Sequence, residues 1–375
     1  MTKNYFITLF LILRICFSFG QDSINTYLFV GSYTLEEKSE GITVYSFNSV
    51  TGELSKIEGE NNLINPSFLT ISPNGKFLYS CTDTKLEKHG SVSAFKIDSL
   101  TGKLTFINKQ TTGGRNPVHI VVDKNNKYII VSNYTDAGIS VFKCNPDGSI
   151  WPYTELIEFE GNSIISGRQD NSHIHSCNLS PNGKYIFAPD LGADKIRVFS
   201  FNNENLLTEI DSLTINTPKG SGPRHFTFHT SKPFAYCVEE LSGTVSFYSY
   251  QNNKLVFKNR YKSYKNPDTE YASSDIHVSP DGKFLYVSNR QEENSISIFE
   301  ISQINGELSL RGHQSTYGKI PRSFVIDSAG KYLIVANQVS NELVVFSRNL
   351  TTGLLTKTYV VTGLRTPSSL KMITF

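Results

Sequence analysis

A repeat of about fifty residues runs through the chain and constrains its fold more than any other feature. The unit reads as an apolar strand, a turn such as Ser-Pro-Asn-Gly-Lys, a second strand, a polar loop, and a third strand that ends in phenylalanine. That phenylalanine recurs seven times, at Phe47, Phe95, Phe142, Phe199, Phe247, Phe299 and Phe346. A fixed period of this length is typical of repeat architectures, in which each unit buries its apolar face against the next.

Each unit contains about four short strands with alternating apolar residues, such as residues 77–79 and 284–287. The turn after the third strand is rich in Asn, Asp and Gly, which tolerate the positive φ of tight hairpins. Four strands per repeat and seven repeats predict an all-β fold, a seven-bladed β-propeller. A pair of β-sandwiches and a solenoid are the weaker alternatives. A WD40 array is disfavoured because Trp151 is the only tryptophan.

The two chain ends supply incomplete units that complement each other. The first apolar strand, at residues 27–31, matches the second strand of a unit, whereas the last segment, residues 367–375, matches a first strand. Together they make one full unit. The sequence therefore predicts that the ring is closed by pairing of the N- and C-terminal strands.

Residues 1–20 resemble a secretory signal, with Lys3 before an apolar run and small residues at Ser18 and Gly20. An uncleaved anchor is the alternative, and a lipoprotein site at Cys16 fits poorly. We therefore expect an exported chain, periplasmic or secreted, with one propeller domain over residues 21–375. We expect no stable membrane span after cleavage of the signal.

The net charge is close to zero, with 36 basic and 34 acidic residues, and residues 1–20 carry two of the basic ones. A neutral surface provides no bulk attraction for nucleic acid or anionic membrane, so we expect no nucleic-acid partner. Four cysteines remain after the signal, too few and too widely spaced for a disulfide framework. One bridge among them stays open: Cys81, Cys144, Cys177 and Cys237.

Polar residues concentrate at two positions of the repeat, the start of the first strand and the end of the second. Because these strands are antiparallel neighbours, both positions reach the same rim of the central funnel. The first position holds His119, His173, His175, Arg224, His225, Asp275, His277 and Arg322. The second holds Asn133, Asp190, Glu240, Arg290 and Gln338. We expect these side chains to surround one pocket.

A ring of Arg and His with few carboxylates suits a small anionic substrate, because Arg binds carboxylate or phosphate and His exchanges protons near neutral pH. Each residue also has a structural interpretation. The histidines and Arg322 could satisfy backbone groups or face solvent, Asp190 could cap a loop, and Arg224 and Glu240 could form a structural ion pair. Asn133 and Gln338 could tie blades together.

The sequence contains little evidence for a metal site or a nucleotide-binding site. His173 and His175 could form a metal pair, but no third ligand stands at ligand spacing, so we predict no metal and no cofactor. The chain has no Gly-x-Ser-x-Gly elbow, no dinucleotide fingerprint and no phosphate loop.

Several motifs resemble the 6-phosphogluconolactonase family of seven-bladed propellers over residues 26–375. They are Val-Gly-Ser-Tyr-Thr at 30–34, Ser-His-Ile-His at 172–175, Pro-Asp-Leu-Gly at 189–192, Gly-Pro-Arg-His-Phe at 222–226, Ala-Tyr-Cys-Val-Glu-Glu-Leu at 235–241, Val-Ser-Asn-Arg at 287–290 and Ala-Asn-Gln at 336–338. The same superfamily includes carboxymuconate cyclases. The resemblance implies a catalytic set of one His, two Arg and one Glu, here His175, Arg224, Arg290 and Glu240.

The resemblance and the convergence of polar residues favour a metal-independent lactone hydrolase with a small, anionic lactone as substrate. Arg224 and Arg290 would bind the anionic group and the developing oxyanion, and His175 or Glu240 would activate water. We expect His119, Asn133, Asp190, His225, His277, Arg322 and Gln338 to bind substrate. Export favours an unphosphorylated sugar lactone or another cyclic ester. A cycloisomerase and a non-enzymatic binding propeller at the cell envelope are the alternatives.

Overall fold

The computed structural model describes residues 25–34, 39–202, 206–266 and 269–375. Regular structure in these ranges is almost entirely β, with one 3-10 helix at Asp211–Leu213. The strands are β1 Thr26–Ser32, β2 Ile42–Phe47, β3 Leu54–Glu60, β4 Phe68–Ile71, β5 Phe77–Thr82, β6 Ser91–Ile97, β7 Leu104–Thr111, β8 Pro117–Val122, β9 Tyr128–Asn133, β10 Gly138–Cys144, β11 Ile150–Glu158, β12 Asn178–Leu179, β13 Tyr185–Asp190, β14 Lys195–Asn202, β15 Leu206–Glu209, β16 Ile215–Asn216, β17 Pro223–Phe228, β18 Phe234–Glu239, β19 Thr244–Gln251, β20 Lys254–Lys262, β21 Ser273–Val278, β22 Phe284–Asn289, β23 Ser295–Ile301, β24 Leu308–Ser315, β25 Pro321–Ile326, β26 Tyr332–Asn337, β27 Glu342–Arg348, β28 Leu355–Thr362 and β29 Pro367–Thr374.

The strands form seven antiparallel sheets, each a meander of four strands. Their orders are β29-β1-β2-β3, β4-β5-β6-β7, β8-β9-β10-β11, β12-β13-β14-β15, β17-β18-β19-β20, β21-β22-β23-β24 and β25-β26-β27-β28, with the short β16 added beside β14. This arrangement confirms the predicted all-β fold, a seven-bladed β-propeller. The first strand of each sheet lies nearest the axis, so the inner strands are β29, β4, β8, β12, β17, β21 and β25.

The ring closes where the last strand of the chain joins the first blade. Strand β29 pairs with β1 over seven residues, from Thr26 opposite Thr374 to Ser32 opposite Pro367. The hydroxyls of Thr26 and Thr374, 348 residues apart in sequence, lie 3.0 Å from each other. The predicted closure by pairing of the terminal strands is therefore confirmed.

The apolar core consists of seven clusters, each located between two neighbouring blades. The seven recurring phenylalanines are all buried within these clusters. Phe47 of the first blade, for example, meets the Tyr332 ring of the last blade edge-on, with ring centroids 5.5 Å apart. The periodic aromatic residues thus pack blade against blade, as the repeat predicts.

The outer hairpin turns contribute a second contact between blades. Gly306 sits in such a turn with φ +82°, and a Cβ there would lie 2.5 Å from the ring of Phe247 in the preceding blade. The Tyr236 hydroxyl of that blade donates a hydrogen bond to the Gly306 carbonyl oxygen at 2.9 Å. The turn therefore needs glycine both for its backbone conformation and for the close approach of the neighbouring ring.

The four cysteines of the propeller are unpaired thiols, so the structure forms no bridge among Cys81, Cys144, Cys177 and Cys237. Burial raises the pKa of Cys144 and Cys177 to about 12. Thiols with raised pKa values are poor nucleophiles. These residues therefore act as small packing side chains within the blades.

The predicted signal segment, residues 1–20, lies outside the described residues. Within the part of the chain that the structure describes, no helix combines the length and the apolar character needed to cross a membrane.

The packing of Gly306 gives a test of the contact between blades. We expect Gly306→Ala to lower the free energy of unfolding by about 1–3 kcal/mol more than Gly363→Ala, because overpacking is added to the backbone cost. Gly363 is the matched control: its φ is +83°, but a Cβ there meets no atom within 4 Å. Urea denaturation of both variants measures the difference, and equal losses would contradict the proposed contact.

Candidate active site

Several of the inner strands, β8, β17, β21 and β25, share a bulge at the position where polar residues accumulate. The pairing with the second strand shifts register between Pro117 and His119, between Pro223 and His225, between Ser273 and Ile276, and between Pro321 and Ser323. A bulge re-aims side chains that strict alternation would send to opposite faces. As a result, consecutive residues such as Arg224 and His225 both reach the axis, but each lines a different cavity.

Two cavities result. The upper cavity, of about 150 Å³, lies where the first strands begin and the second strands end. It brings together five residues predicted from sequence: His175, Arg224, Glu240, Arg290 and Arg322. The lower cavity, of about 370 Å³, lies further along the first strands and holds His119, His225 and His277.

Glu240 is the only carboxylate among the residues that line the upper cavity, and it binds three guanidinium groups. Its Oε2 lies 2.8 Å from Nε of Arg224 and 3.1 Å from Nη2 of Arg290. Its Oε1 accepts a hydrogen bond of 2.5 Å from Nη2 of Arg168. Both oxygens of the carboxylate are therefore engaged, and the three cations are fixed relative to one another.

The charge state of Glu240 follows from this cluster. Burial disfavours the ionised carboxylate, but the positive charges of Arg290, Arg224 and Arg168 outweigh burial and hold the pKa of Glu240 at about 2. The residue is thus ionised at neutral pH. A carboxylate with so low a pKa and no uncommitted oxygen is a weak base, and its evident role is to hold the arginines.

Arg224 is the most confined of these cations, with only 2% of its surface exposed. Its Nη1 donates a hydrogen bond of 2.6 Å to the carbonyl oxygen of Ser274 on the next blade. Burial and the nearby Arg290 lower the pKa of Arg224, whereas Glu240 raises it. Arginine nevertheless stays protonated in proteins. The guanidinium is therefore a fixed positive charge in the lining of the upper cavity.

His175 provides the imidazole of the upper cavity. Its backbone N–H donates to the carbonyl oxygen of Pro189 at 2.9 Å, which fixes the chain beside β13. Burial lowers the pKa of His175 well below its usual range, and the cations Arg224 and Arg322 lower it further. The ring is therefore neutral at pH 7. Its Nδ1 is buried and has no hydrogen-bond partner among the described residues.

Two further cations line the cavity without joining the Glu240 cluster. Nη2 of Arg322 donates to the Tyr33 hydroxyl at 3.2 Å, and Nζ of Lys85 lies 4.2 Å from the centre of the Tyr33 ring. The described residues supply no carboxylate in a salt bridge with either side chain. The sequence did not predict Lys85 or Tyr33 as site residues. Tyr33 belongs to the Val-Gly-Ser-Tyr-Thr motif, which supported the family resemblance but not a role in the site.

Arg168 is the most important residue that sequence reasoning missed. It lies between β11 and β12, in the connection between the third and fourth blades, where the spacing of the repeated phenylalanines is longest, from Phe142 to Phe199. That extra length forms a segment that places Arg168 against Glu240. The irregular spacing was the available signal, because an insertion at the rim of a repeat fold often carries function.

Tyr134 was missed for a different reason, a slip of one residue in aligning the second strands. Strand pairing makes Asn133 equivalent to Glu239, not to Glu240. Since side chains alternate between faces, a one-residue slip exchanges the side chains that face the cavity for those that face the blade. Tyr134, the true counterpart of Glu240, lines the upper cavity.

The same slip explains the placement of Asn133 and Asp190, which are fully buried and line neither cavity. The Asn133 side chain donates to the Ser140 hydroxyl at 2.8 Å. Asp190 binds Nε of Arg197 at 3.0 Å and accepts hydrogen bonds from backbone N–H groups, including that of Ala193. Both side chains thus hold their blades together in this structure.

Gln338 aligns with Glu240 and Arg290 but is not among the residues that line the upper cavity. Its backbone N–H donates to the carbonyl oxygen of Ile320 at 2.9 Å, and its side chain is half-buried.

The pair His173 and His175 does not form a shared ligand site. The His173 ring stacks on Tyr134, with centroids 4.2 Å apart, and His175 meets the same ring edge-on at 5.3 Å. The residues that the structure describes contain no group of three His, Cys, Asp or Glu side chains arranged to hold a metal ion.

Comparison with known proteins places this architecture in a family. The family model described as Lactonase, 7-bladed beta-propeller, matches residues 27–372. A 6-phosphogluconolactonase of Formosa agariphila is 46% identical over 353 residues, which cover 93% of this chain and 99% of that protein. A 6-phosphogluconolactonase of Bacillus subtilis is 34% identical over 331 residues, or 88% of this chain and 93% of that protein.

Comparison with solved structures leads to the same family. A crystal structure of a putative 6-phosphogluconolactonase from Bacteroides fragilis superimposes with a TM-score of 0.88 at 37% identity, covering 94% of this chain and 99% of that one. The Pseudomonas aeruginosa periplasmic gluconolactonase gives a TM-score of 0.88 at 31% identity, with the same coverage. By the match of nearly its whole length, the chain belongs to the lactonase family of seven-bladed β-propellers.

Proposed function

We propose that the chain hydrolyses a sugar lactone in the upper cavity, without a metal ion. The observation that carries this proposal is the buried Glu240 carboxylate that fixes three guanidinium groups beside a neutral His175. Membership of the lactonase family supports the reaction class. The residue roles that follow are inferred from the chemistry of these side chains.

The arginines supply electrostatic stabilisation. Attack of water on the lactone carbonyl carbon places negative charge on the carbonyl oxygen, and preorganised cations aimed at that oxygen lower the barrier. Arg224 and Arg290 already have fixed positions because Glu240 binds both of them. They need not reorganise when the charge develops, which is the advantage of a prearranged site.

His175 is the better general base of the two candidates. Glu240 has a pKa of about 2 and both oxygens engaged, so it has little tendency to take a proton. The neutral imidazole of His175 can accept a proton from the attacking water as the new C–O bond forms. When the ring C–O bond breaks, the same proton passes to the departing alkoxide oxygen, giving a hydroxy acid.

The charge of the upper cavity favours an anionic lactone. Five cationic residues line this cavity, and Glu240 is the only carboxylate among the lining residues. The five are Lys85, Arg168, Arg224, Arg290 and Arg322. Because Arg322 and Lys85 do not bind Glu240, we propose that they bind a distal anionic group such as a phosphate. The names of the two curated relatives, both 6-phosphogluconolactonases, point to the same substrate class.

We further propose that residues 1–20 direct export of the chain, as expected from sequence. A periplasmic gluconolactonase among the structural neighbours is consistent with this location. An exported enzyme would meet unphosphorylated sugar lactones.

We expect Arg224→Ala to reduce kcat/KM for 6-phosphogluconolactone by about 10²–10³-fold, because it removes a charge that stabilises the oxyanion. Arg260→Ala is the matched control, since Arg260 binds the adjacent carboxylate Glu239 at 2.9 Å but does not line the upper cavity. Acid release in excess of spontaneous opening measures both. A folded Arg224→Ala protein with unchanged turnover would sink the assignment.

The pH profile tests the role of His175. Its pKa is depressed, so the neutral, proton-accepting form persists through pH 6.5 and is lost only well below that value. We therefore expect kcat/KM to stay constant from pH 8 to pH 6, after subtraction of spontaneous hydrolysis, and to fall only in more acid solution. His175→Gln should abolish this acid limb together with most activity. A limb centred near pH 6.5 would contradict the assignment.

Substitution of Arg322 tests the substrate class. We expect Arg322→Gln to raise KM for 6-phosphogluconolactone by about tenfold, the effect of losing one charged hydrogen bond, and to leave KM for gluconolactone within about twofold. Parallel titration with the two lactones measures the difference. An equal effect on both substrates would show that Arg322 does not bind the phosphate.

A further inference from the structure

The lower cavity is larger than the upper one and has its own set of inward-facing side chains. Residues two apart on a strand face the same side, so each inner segment contributes a pair. The pairs are Phe68 and Thr70, His119 and Val121, Cys177 and Leu179, His225 and Thr227, and Asp275 and His277, with Lys371 added by β29. Three of the residues predicted to bind substrate therefore lie here, outside the upper cavity.

The walls of the lower cavity combine apolar and polar side chains. Phe68, Val121 and Leu179 supply the apolar part. Histidine, threonine, asparagine, aspartate and lysine side chains line the same space, so the cavity offers a small molecule both apolar contacts and hydrogen-bonding groups. Such a cavity accepts a ligand that has a short carbon skeleton and a small number of polar atoms.

Asp275 is fully engaged within the protein. Its Oδ1 accepts a hydrogen bond from Nδ1 of His225 at 2.9 Å, and its Oδ2 lies 3.2 Å from Nε2 of His277. Oδ2 also accepts from the Ser323 hydroxyl at 3.1 Å and from the backbone N–H of Phe324 at 3.2 Å. This carboxylate therefore orients its neighbours and leaves little capacity for a ligand.

The hydrogen bonds of His225 and His119 determine which ring nitrogen of each histidine carries the proton. The other nitrogen of each neutral ring is an acceptor. His225 donates through Nδ1 to Asp275, and burial lowers its pKa to about 4, so its Nε2 is an unprotonated acceptor. That Nε2 is buried and has no partner among the described residues. The backbone N–H of Cys177 donates to Nδ1 of His119 at 3.4 Å, which leaves the proton of the neutral His119 ring on Nε2 as a donor.

Lys371 adds a cation to this set. Its Nζ lies 5.0 Å from the centre of the Phe68 ring. Asp275 is the acidic residue whose charge acts on Lys371, but its two oxygens are engaged in hydrogen bonds with His225 and His277. No salt bridge among the described residues involves Lys371. A confined ammonium group without a counter-ion is a site for an anion.

We infer that the lower cavity is a second binding site, separate from the lactone site, for a small hydroxycarboxylate. The ligand carboxylate would accept hydrogen bonds from Lys371 and His119, its hydroxyl would donate to Nε2 of His225, and its carbon skeleton would lie against Phe68 and Val121. The unpartnered Nε2 of His225 and the ammonium group of Lys371 thus each meet a complementary ligand atom. The inference does not depend on turnover in the upper cavity.

Calorimetric titration of the intact protein with three related probes tests this inference. The probes are 3-hydroxybutyrate, butyrate, which lacks the hydroxyl, and 1,3-butanediol, which lacks the carboxylate. We expect 3-hydroxybutyrate to bind at millimolar concentration, butyrate about three- to tenfold more weakly, and the diol at least about tenfold more weakly, in line with loss of a neutral and of a charged hydrogen bond. Equal binding of the three probes, or no binding of 3-hydroxybutyrate at 50 mM, would overturn the inference.

Two variants assign the binding to a cavity. Lys371→Met keeps most of the side-chain length but removes the charge, and should weaken 3-hydroxybutyrate binding by at least about tenfold. Arg322→Gln removes a cation from the upper cavity and should change that affinity by less than about twofold. The reverse pattern would place the ligand in the upper cavity and overturn the inference. If Lys371→Met does not fold, Arg322→Gln alone decides the question: a loss of affinity of about tenfold or more in that variant would place the ligand in the upper cavity and overturn the inference.

Discussion

The pairing of β1 with β29 is the contact on which the rest of the structure depends. It joins the two ends of the chain, so seven sheets that could otherwise form an open row close around one axis. Closure buries the aromatic cluster between the first and last blades, where Phe47 meets Tyr332. It also places the inner strands side by side in a ring, and only this arrangement brings side chains from different repeats within reach of one another.

Within that ring, one buried carboxylate organises the upper cavity. An isolated ionised Glu240 would be unstable away from water, and three arginines offset the cost. Burial, together with Arg224 and Arg322, keeps His175 neutral, so the cavity holds one ionised and one neutral acid–base group. In the lower cavity, too, one buried carboxylate orients its neighbours: Asp275 holds His225 and His277. Lys371 forms no salt bridge among the described residues.

Much of this could be predicted from the sequence, and the failures have identifiable causes. The repeat predicted the number of blades, the order of strands, the inter-blade phenylalanines and the closing pair. The predicted catalytic set, His175, Arg224, Glu240 and Arg290, does lie in one cavity. The expected single pocket is two cavities, because bulges in the inner strands let Arg224 and His225 face the axis at different depths. A slip of one residue in aligning the second strands put Asn133 in place of Tyr134.

The sequence by itself determined the all-β ring and the kinds of residue near its axis, because both follow from local periodicity: alternation within strands, turn residues between them, and one aromatic residue per repeat. The tertiary structure decided which of those residues share a cavity. That outcome depends on bulges, on the exact strand register and on the position of the longer segment that carries Arg168, and none of these is a periodic property. Contacts between distant blades are set only when the ring closes.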